Sequence, residues 1–191
     1  MRKLIFFMHT SLDGYISMQN GDLSWAKLDE GISNWVYEMT QRSDIAMYGR
    51  VTYEMMQAYW PDAGKKTDAS EHDKQHSAWY NQVDKVVISR TLDGTDLSHT
   101  TVMGHNLKQE INELKEAGGK DILIFGSPGA SLSLLELGLI DEFYFLVNPI
   151  ILGHGIPFLQ KLPKTLNLHL LESQIFPSEV VLLHYAVKKQ A

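Results

Sequence analysis

Three apolar, β-branched runs in this chain end in residues suited to holding phosphate. Asp44-Ile45-Ala46-Met47-Tyr48 runs into Gly49-Arg50-Val51-Thr52, Val86-Val87-Ile88 into Ser89-Arg90, and Ile122-Leu123-Ile124-Phe125 into Gly126-Ser127-Pro128-Gly129-Ala130-Ser131. A helix that opens directly after a strand offers unpaired N–H groups and a partial positive charge, and glycine lets the backbone approach a phosphate closely. Gly49, Arg50 and Thr52 therefore read as one side of a pyrophosphate cradle, and Gly126, Ser127, Pro128, Gly129 and Ala130 as the other. Ser89-Arg90 carries a different chemistry, a hydroxyl beside a guanidinium fork able to clamp a ribose phosphate monoester, where an acid would favour NAD. Neither glycine turn is a G-x-G-x-x-G fingerprint or a G-x-x-x-x-G-K-[ST] loop, so each alone also reads as a tight strand-to-helix connection. If the three strands lie in one parallel sheet, their carboxyl ends share the edge at which open α/β sheets bind nucleotides.

The elements that must position these turns follow from periodicity. Residues 3 to 9 are continuously apolar and read as a first buried strand, which Ser11-Leu12-Asp13-Gly14 turns. Ile32, Trp35, Val36 and Met39 fall at helical spacing between Glu30 and Gln41, behind possible caps at Asp29 or Ser33. A short helix is expected over 52 to 58, a loop over 61 to 70, and a helix near 70 to 80. Beyond the strand at 84 to 88 come an extended piece near 100 to 103, a helix over 107 to 117, a strand over 121 to 125 and a helix over 129 to 137. From Ile140 the pattern changes. Phe143 to Val147 is a strand, Pro149 to Pro157 a Gly/Pro-rich crossover, and 165 to 175 and 179 to 187 alternate like an antiparallel hairpin. The fold class expected is α/β, a mixed and mostly parallel sheet flanked by helices, ending in an antiparallel hairpin.

Composition narrows the partners. The 191 residues suit a single domain over 1 to 191. A net charge of -6, with Lys65-Lys66 as the longest basic cluster, argues against nucleic acid. No stretch approaches the ~18 apolar residues of a membrane span, and the apolar run before His9 is too short for an export signal. With no cysteine there is no disulfide, thiol nucleophile or thiolate metal site, which fits a cytoplasmic setting.

Taken in order, these segments resemble the dihydrofolate reductase superfamily, and within it the branch that includes the reductase domain of bacterial riboflavin biosynthesis. Ser11-Leu12-Asp13-Gly14 resembles that branch's S-L-D-G, Gly49-Arg50-Val51-Thr52-Tyr53-Glu54 resembles the G-R-x-T-[WY]-E of both branches, and Val87-Ile88-Ser89-Arg90 resembles the family's strand-then-Ser-Arg. Gly138-Leu139-Ile140-Asp141-Glu142 followed by Pro149-Ile150-Ile151-Leu152-Gly153-His154-Gly155 is similar to G-L-[IV]-D-E and P-x-x-L-G-x-G, the most specific pairing of the set. The resemblance implies a three-layer fold, NADPH as hydride donor to a small-molecule substrate, and a homodimer, with the apolar stretch from Phe143 to Ile151 as a candidate interface. It also implies that the Ser11 to Ile16 loop, with Leu12 and Asp13, borders the nicotinamide and the substrate.

The departures concern the substrate. Where the riboflavin branch has K-x-A-x-S-L-D-G, this chain has Phe7 and His9, and its D-P-x-L-x-x-R motif has no counterpart near Trp60. The position of the pterin-binding acid of dihydrofolate reductases aligns with Ser33, and their G-G-G turn, which holds a cis peptide, has become Gly126-Ser127-Pro128-Gly129. The expected activity is an NADPH-dependent reductase of a small nitrogen heterocycle or related carbonyl compound, like the riboflavin-pathway phosphoribosylamino-uracil reductase. A pterin reductase and a non-catalytic NADP(H)-binding protein are the alternatives.

Such a reductase needs one proton donor and walls for a flat ring. Asp13 and Asp29 are the candidate catalytic acids, with Glu30 beside them, since burial would raise a carboxyl's pKa and keep it protonated near neutrality. Each also has a structural use, Asp13 in an Asp-Gly turn and Asp29 as a helix N-cap. Trp25 and Trp60 offer aromatic walls, or ordinary partial burial. His72 and His76 stand four apart around Asp73, but without a glutamate or third ligand no metal site is expected.

Overall fold

Strand β1 (Leu4–Ser11) sets the pattern of the whole sheet. Leu4, Phe6 and Met8 bury into one core and Ile5 into another on the opposite face, so a strand covered on both sides reads as an unbroken apolar run. The computed structural model describes residues 1–92, 97–158, 162 and 165–188. The chain continues through β2 (Tyr15–Ser17), α1 (Glu30–Gln41), β3 (Ser43–Gly49), α2 (Arg50–Ala63), α3 (Glu71–Gln82), β4 (Asp84–Ile88), β5 (Thr100–Met103), α4 (Leu107–Glu116), β6 (Asp121–Phe125), α5 (Pro128–Glu136), β7 (Glu142–Asn148), β8 (Ile156–Pro157), β9 (Leu168–Ile175) and β10 (Val181–Val187).

Eight strands form one sheet in the order β5-β4-β3-β6-β1-β7-β10-β9. Every pairing from β5 to β7 is parallel, while β10 runs antiparallel to both β7 and β9. This is the mixed, mostly parallel sheet with a terminal antiparallel hairpin that the patterning implies. Ile32, Val36 and Met39 of α1 pack with Trp79 and Tyr80 of α3 on one face; Ile111 of α4 and Leu134 of α5 pack on the other. The result is three layers.

Three details differ from the sequence expectation. Helix α2 runs through Pro61 to Ala63, not to 58, because Pro61 falls in the last turn and Ala63 is fully buried. Strands β2 and β8, too short to show periodicity, pair antiparallel where Gly155 packs against β2, and a Cβ there would lie 2.3 Å from the Ser17 carbonyl oxygen. The stretch from Phe143 also differs in setting: β7 is interior to the sheet, hydrogen-bonded to β1 and β10, so its backbone edges are not free to form an interface. The free edge at that end is β9, exposed along most of its length.

Candidate functional site

The carboxyl ends of β3, β4 and β6 lie side by side in the sheet, and the three phosphate-type turns leave from them. Gly49, Arg50, Thr52, Ser89, Arg90, Gly126, Ser127, Pro128, Gly129 and Ala130 all line one cavity of about 1060 Å³. That volume is at the top of the ~300–1,000 Å³ range of small-molecule sites, room for a large ligand or for two.

Capping separates the helices that face this cavity from those that do not. α1 and α3 are closed at their N-termini by side chains, Asp29 accepting from the Ile32 amide and Ser70 forming a reciprocal capping box with Asp73. α2, α4 and α5 have no side-chain cap, and it is their N-terminal residues that line the cavity. Uncapped first turns leave N–H groups aimed at whatever fills the space in front of them. The turns before α2 and α5 are locked together, since the Gly49 amide donates to Ser127 Oγ at 2.9 Å. Gly126 and Ser127 both adopt left-handed φ, +55° and +57°, and no peptide among the described residues is cis. For serine that conformation costs ~1–2 kcal/mol, offset by the two hydrogen bonds of its hydroxyl, from Gly49 and to the Phe125 carbonyl.

Ser89 and Arg90 divide their work. The Ser89 hydroxyl accepts from the amides of Thr91 and Leu92, at 3.1 and 3.2 Å, and so shapes its own turn. Arg90 is exposed and has no ion-pair partner among the described residues, whereas Arg50 is paired with Glu54 at 2.8 Å. Gly104 brings the end of β5 against this turn so closely that a Cβ would lie 2.5 Å from the Ser89 carbonyl oxygen.

The opposite part of the cavity is apolar: Phe7, Met8, Ile16, Leu23, Met55, Phe125 and Ile156 line it, with His9 among them. Burial, aided by the nearby His72, lowers the His9 pKa to about 4, so the imidazole is neutral at physiological pH. Sequence reasoning set Phe7 and His9 aside as departures from a family pattern. The structure places both in the lining of the cavity, which nothing in the local sequence signals.

The other residues expected at the substrate, Leu12, Asp13, Trp25 and Trp60, do not line the cavity, nor does Asp29. Asp13 is drawn away because its carboxylate accepts from the amides of Leu152 and Gly153, at 3.1 and 2.8 Å, and from the Ser11 hydroxyl. Those hydrogen bonds, Ser11's foremost, hold its pKa at about 2, the reverse of the raised value expected of a proton donor. Burial pushes Asp29 up, but the Ile32 and Ser178 amides outweigh it and leave the carboxyl below its ordinary value. Trp60 lies with its ring centroid 4.0 Å from that of His76, and its indole N–H donates to Met56 Sδ. Leu12 is exposed, and its amide donates to the Ile150 carbonyl. Trp25 keeps its indole N–H buried with no hydrogen-bond partner among the described residues.

These contacts explain why S-L-D-G and P-x-x-L-G-x-G occur together: Leu12 and Asp13 bind the 150–153 backbone, and β2 pairs with β8 just beyond. The Asp141-Glu142 pair works at the other end of the sheet, Asp141 holding the buried Lys115 at 2.6 Å and Glu142 bonding Lys3 and His184.

The chain is similar to known proteins over nearly its whole length. An uncharacterized Bacillus subtilis (strain 168) protein, YyaP, is 28% identical over 184 residues, covering 96% of this chain and 94% of that one. A Shewanella sp. PV-4 protein whose name ties it to riboflavin biosynthesis shares the fold with a TM-score of 0.74 and 24% identity, over 98% of this chain and 99% of that one. Dihydrofolate reductase from Enterococcus faecalis, solved with NADP(H), superposes with a TM-score of 0.64 at 12% identity, over 98% and 97% of the two chains. The profile of the RibD C-terminal domain matches residues 2–182, and the chain belongs to that family.

Proposed function

We propose that the cavity binds NADPH and that the protein is an NADPH-dependent reductase of a small nitrogen heterocycle or related carbonyl compound. The observation that carries this reading is the convergence, at one sheet edge, of three helix N-termini without side-chain caps and an arginine with no ion-pair partner among the described residues. That donor set suits a dinucleotide phosphate. The first turns of α2 and α5 would hold the pyrophosphate, and Arg90, with Arg50 beside the same cavity, the 2′-phosphate. Bound NADPH would supply a hydride to an electrophilic carbon of the substrate, and a proton would complete the reduction at the adjacent heteroatom.

The chain's own residues orient and enclose. Phe7, Met8, Ile16 and Phe125 exclude water around the flat rings, which strengthens every polar contact made there. Asp13 and Asp29 are held ionised and serve the fold, so the proton is drawn from solvent. Ser33, in the place of the pterin-binding acid, lends its hydroxyl to the Asp29 carbonyl, which weighs against a pterin reductase.

Fluorescence titration tests the reading. Wild-type protein should quench or enhance NADPH emission in a saturable way and bind NADH more weakly, and absence of any change at near-millimolar NADPH would refute it. That neither Asp13 nor Asp29 lines the cavity favours one other reading, NADP(H) binding without turnover. Saturable NADPH binding with no oxidation across pterins, uracils and quinones would support that instead.

A further inference from the structure

We infer that His9 is a substrate-contacting residue that presents its Nε2–H as a hydrogen-bond donor to a carbonyl oxygen or ring nitrogen of a flat substrate, and that Asn148 is the positioning residue that sets this tautomer. The inference rests on the reductase reading of the same cavity.

Lys27 N–H donates to Asn148 Oδ1 at 2.8 Å, which fixes which end of the side-chain amide is oxygen and which is nitrogen. The nitrogen end then faces three acceptors: the Leu146 carbonyl at 3.0 Å, the Thr10 carbonyl at 3.3 Å and His9 Nδ1 at 3.4 Å. The amide has two hydrogens for these three acceptors, so one is shared; because its nitrogen has no lone pair to accept with, a proton on Nδ1 would face N–H hydrogens, and the imidazole proton is assigned to Nε2. Asn148 is itself 1% exposed, so this network does not exchange freely with water.

Nε2 makes no hydrogen bond to any described residue, and it is not among the buried polar atoms sealed without a partner. It therefore opens on the cavity that His9 lines. Phe7 meets the imidazole edge-on at 5.8 Å between centroids and leans on Trp35, which fixes the plane of the wall. The titratable neighbour acting on His9 is His72 of α3, a further reason for the ring to stay neutral. A neutral, pre-oriented N–H stabilises charge developing on a substrate heteroatom without giving up its own proton. The substrate class this selects is a planar conjugated ring bearing a carbonyl or imine acceptor.

Nitrogen-15 NMR of the labelled protein tests the tautomer with no ligand present. The expected result is His9 protonated on Nε2 and bare on Nδ1 at neutral pH, with Asn148→Asp, whose carboxylate accepts, moving the proton to Nδ1. A wild-type His9 protonated on Nδ1, or on both nitrogens at neutral pH, overturns the inference even if Asn148→Asp fails to fold. The contact is tested by adding uracil, folate and menadione in turn to NADPH-saturated protein. At least one should shift the Nε2–H resonance, His9→Phe should weaken that compound about tenfold, the loss of one hydrogen bond, and His9→Gln, which keeps a donor, should restore much of it. No shift with any of the three overturns the contact. Failure of the wild type to bind NADPH would instead strike the cofactor reading and leave the tautomer result standing.

Discussion

Asp13 and Arg90 carry opposite lessons about reading single residues. An Asp-Gly pair beside a turn could be a proton donor or a structural anchor, and nothing in the local sequence distinguishes them. The deciding partners, Leu152 and Gly153, lie about 140 positions away along the chain. As an anchor, Asp13 should be dispensable for proton transfer: Asp13→Asn should lower thermal stability and leave the neutral-to-acid pH profile of turnover unchanged in shape. A profile that loses an ionisation in the variant would restore the catalytic role. The place of Arg90 in the cavity lining was legible because it depends on local sequence, a cation just past a strand end. Arg90→Ala should weaken NADPH on the order of tenfold to a hundredfold and NADH hardly at all, the signature of a lost charge-assisted bond to a 2′-phosphate; equal losses would remove that role.

Elements were the most legible level, because apolar periodicity is written into every turn and strand. Leu4 to Met8, Ile45 to Tyr48 and Ile122 to Phe125 bury on both faces and so identify themselves as parallel interior strands. The pieces that escaped, β2 and β8, are 3 and 2 residues long, and close backbone approach at Gly155 positions them rather than patterning. Helix capping was half visible: Asp29 and Ser70 announce capped ends, while the missing caps of α2, α4 and α5 acquire meaning only when all three are found around one cavity. The Gly104 contact makes a test at this scale. Gly104→Ala places a Cβ against the Ser89 carbonyl, displaces the 89–92 turn, and should weaken NADPH severalfold while lowering the melting temperature. Unchanged affinity would mean that the turn does not hold the cofactor.

In the whole molecule, two histidines are kept neutral in the folded state and will charge on unfolding. Burial lowers His9 to about 4 and His76 to about 3, against 6.5 for an ordinary histidine. Below pH ~6.5 the unfolded chain binds protons that the folded chain does not, so stability falls as pH drops from ~6.5 toward ~4, by up to about 1.4 kcal/mol per pH unit for each group. Urea denaturation across that range should show the slope, and His76→Phe should make it shallower; a flat profile in the wild type would contradict the burial of both rings. What the sequence could not disclose at this scale is which residues face the cavity. Phe7 and His9 belong to the first strand and Met55 to the second helix, and only the order of strands in the sheet sets them in one wall. The exposed β9 edge is one surface open to the homodimer that the resemblance implies, which light scattering would reveal as a mass about twice that of the chain.

The central claim is that the three strand ends make one NADPH cleft. A crystal structure of the protein with NADPH tests it most directly. The pyrophosphate is expected at the first turns of α2 and α5, the 2′-phosphate against Arg90, and the nicotinamide beside Phe7 and His9. A cofactor bound away from this cavity, or lying in it with its nicotinamide at Arg90, would contradict it.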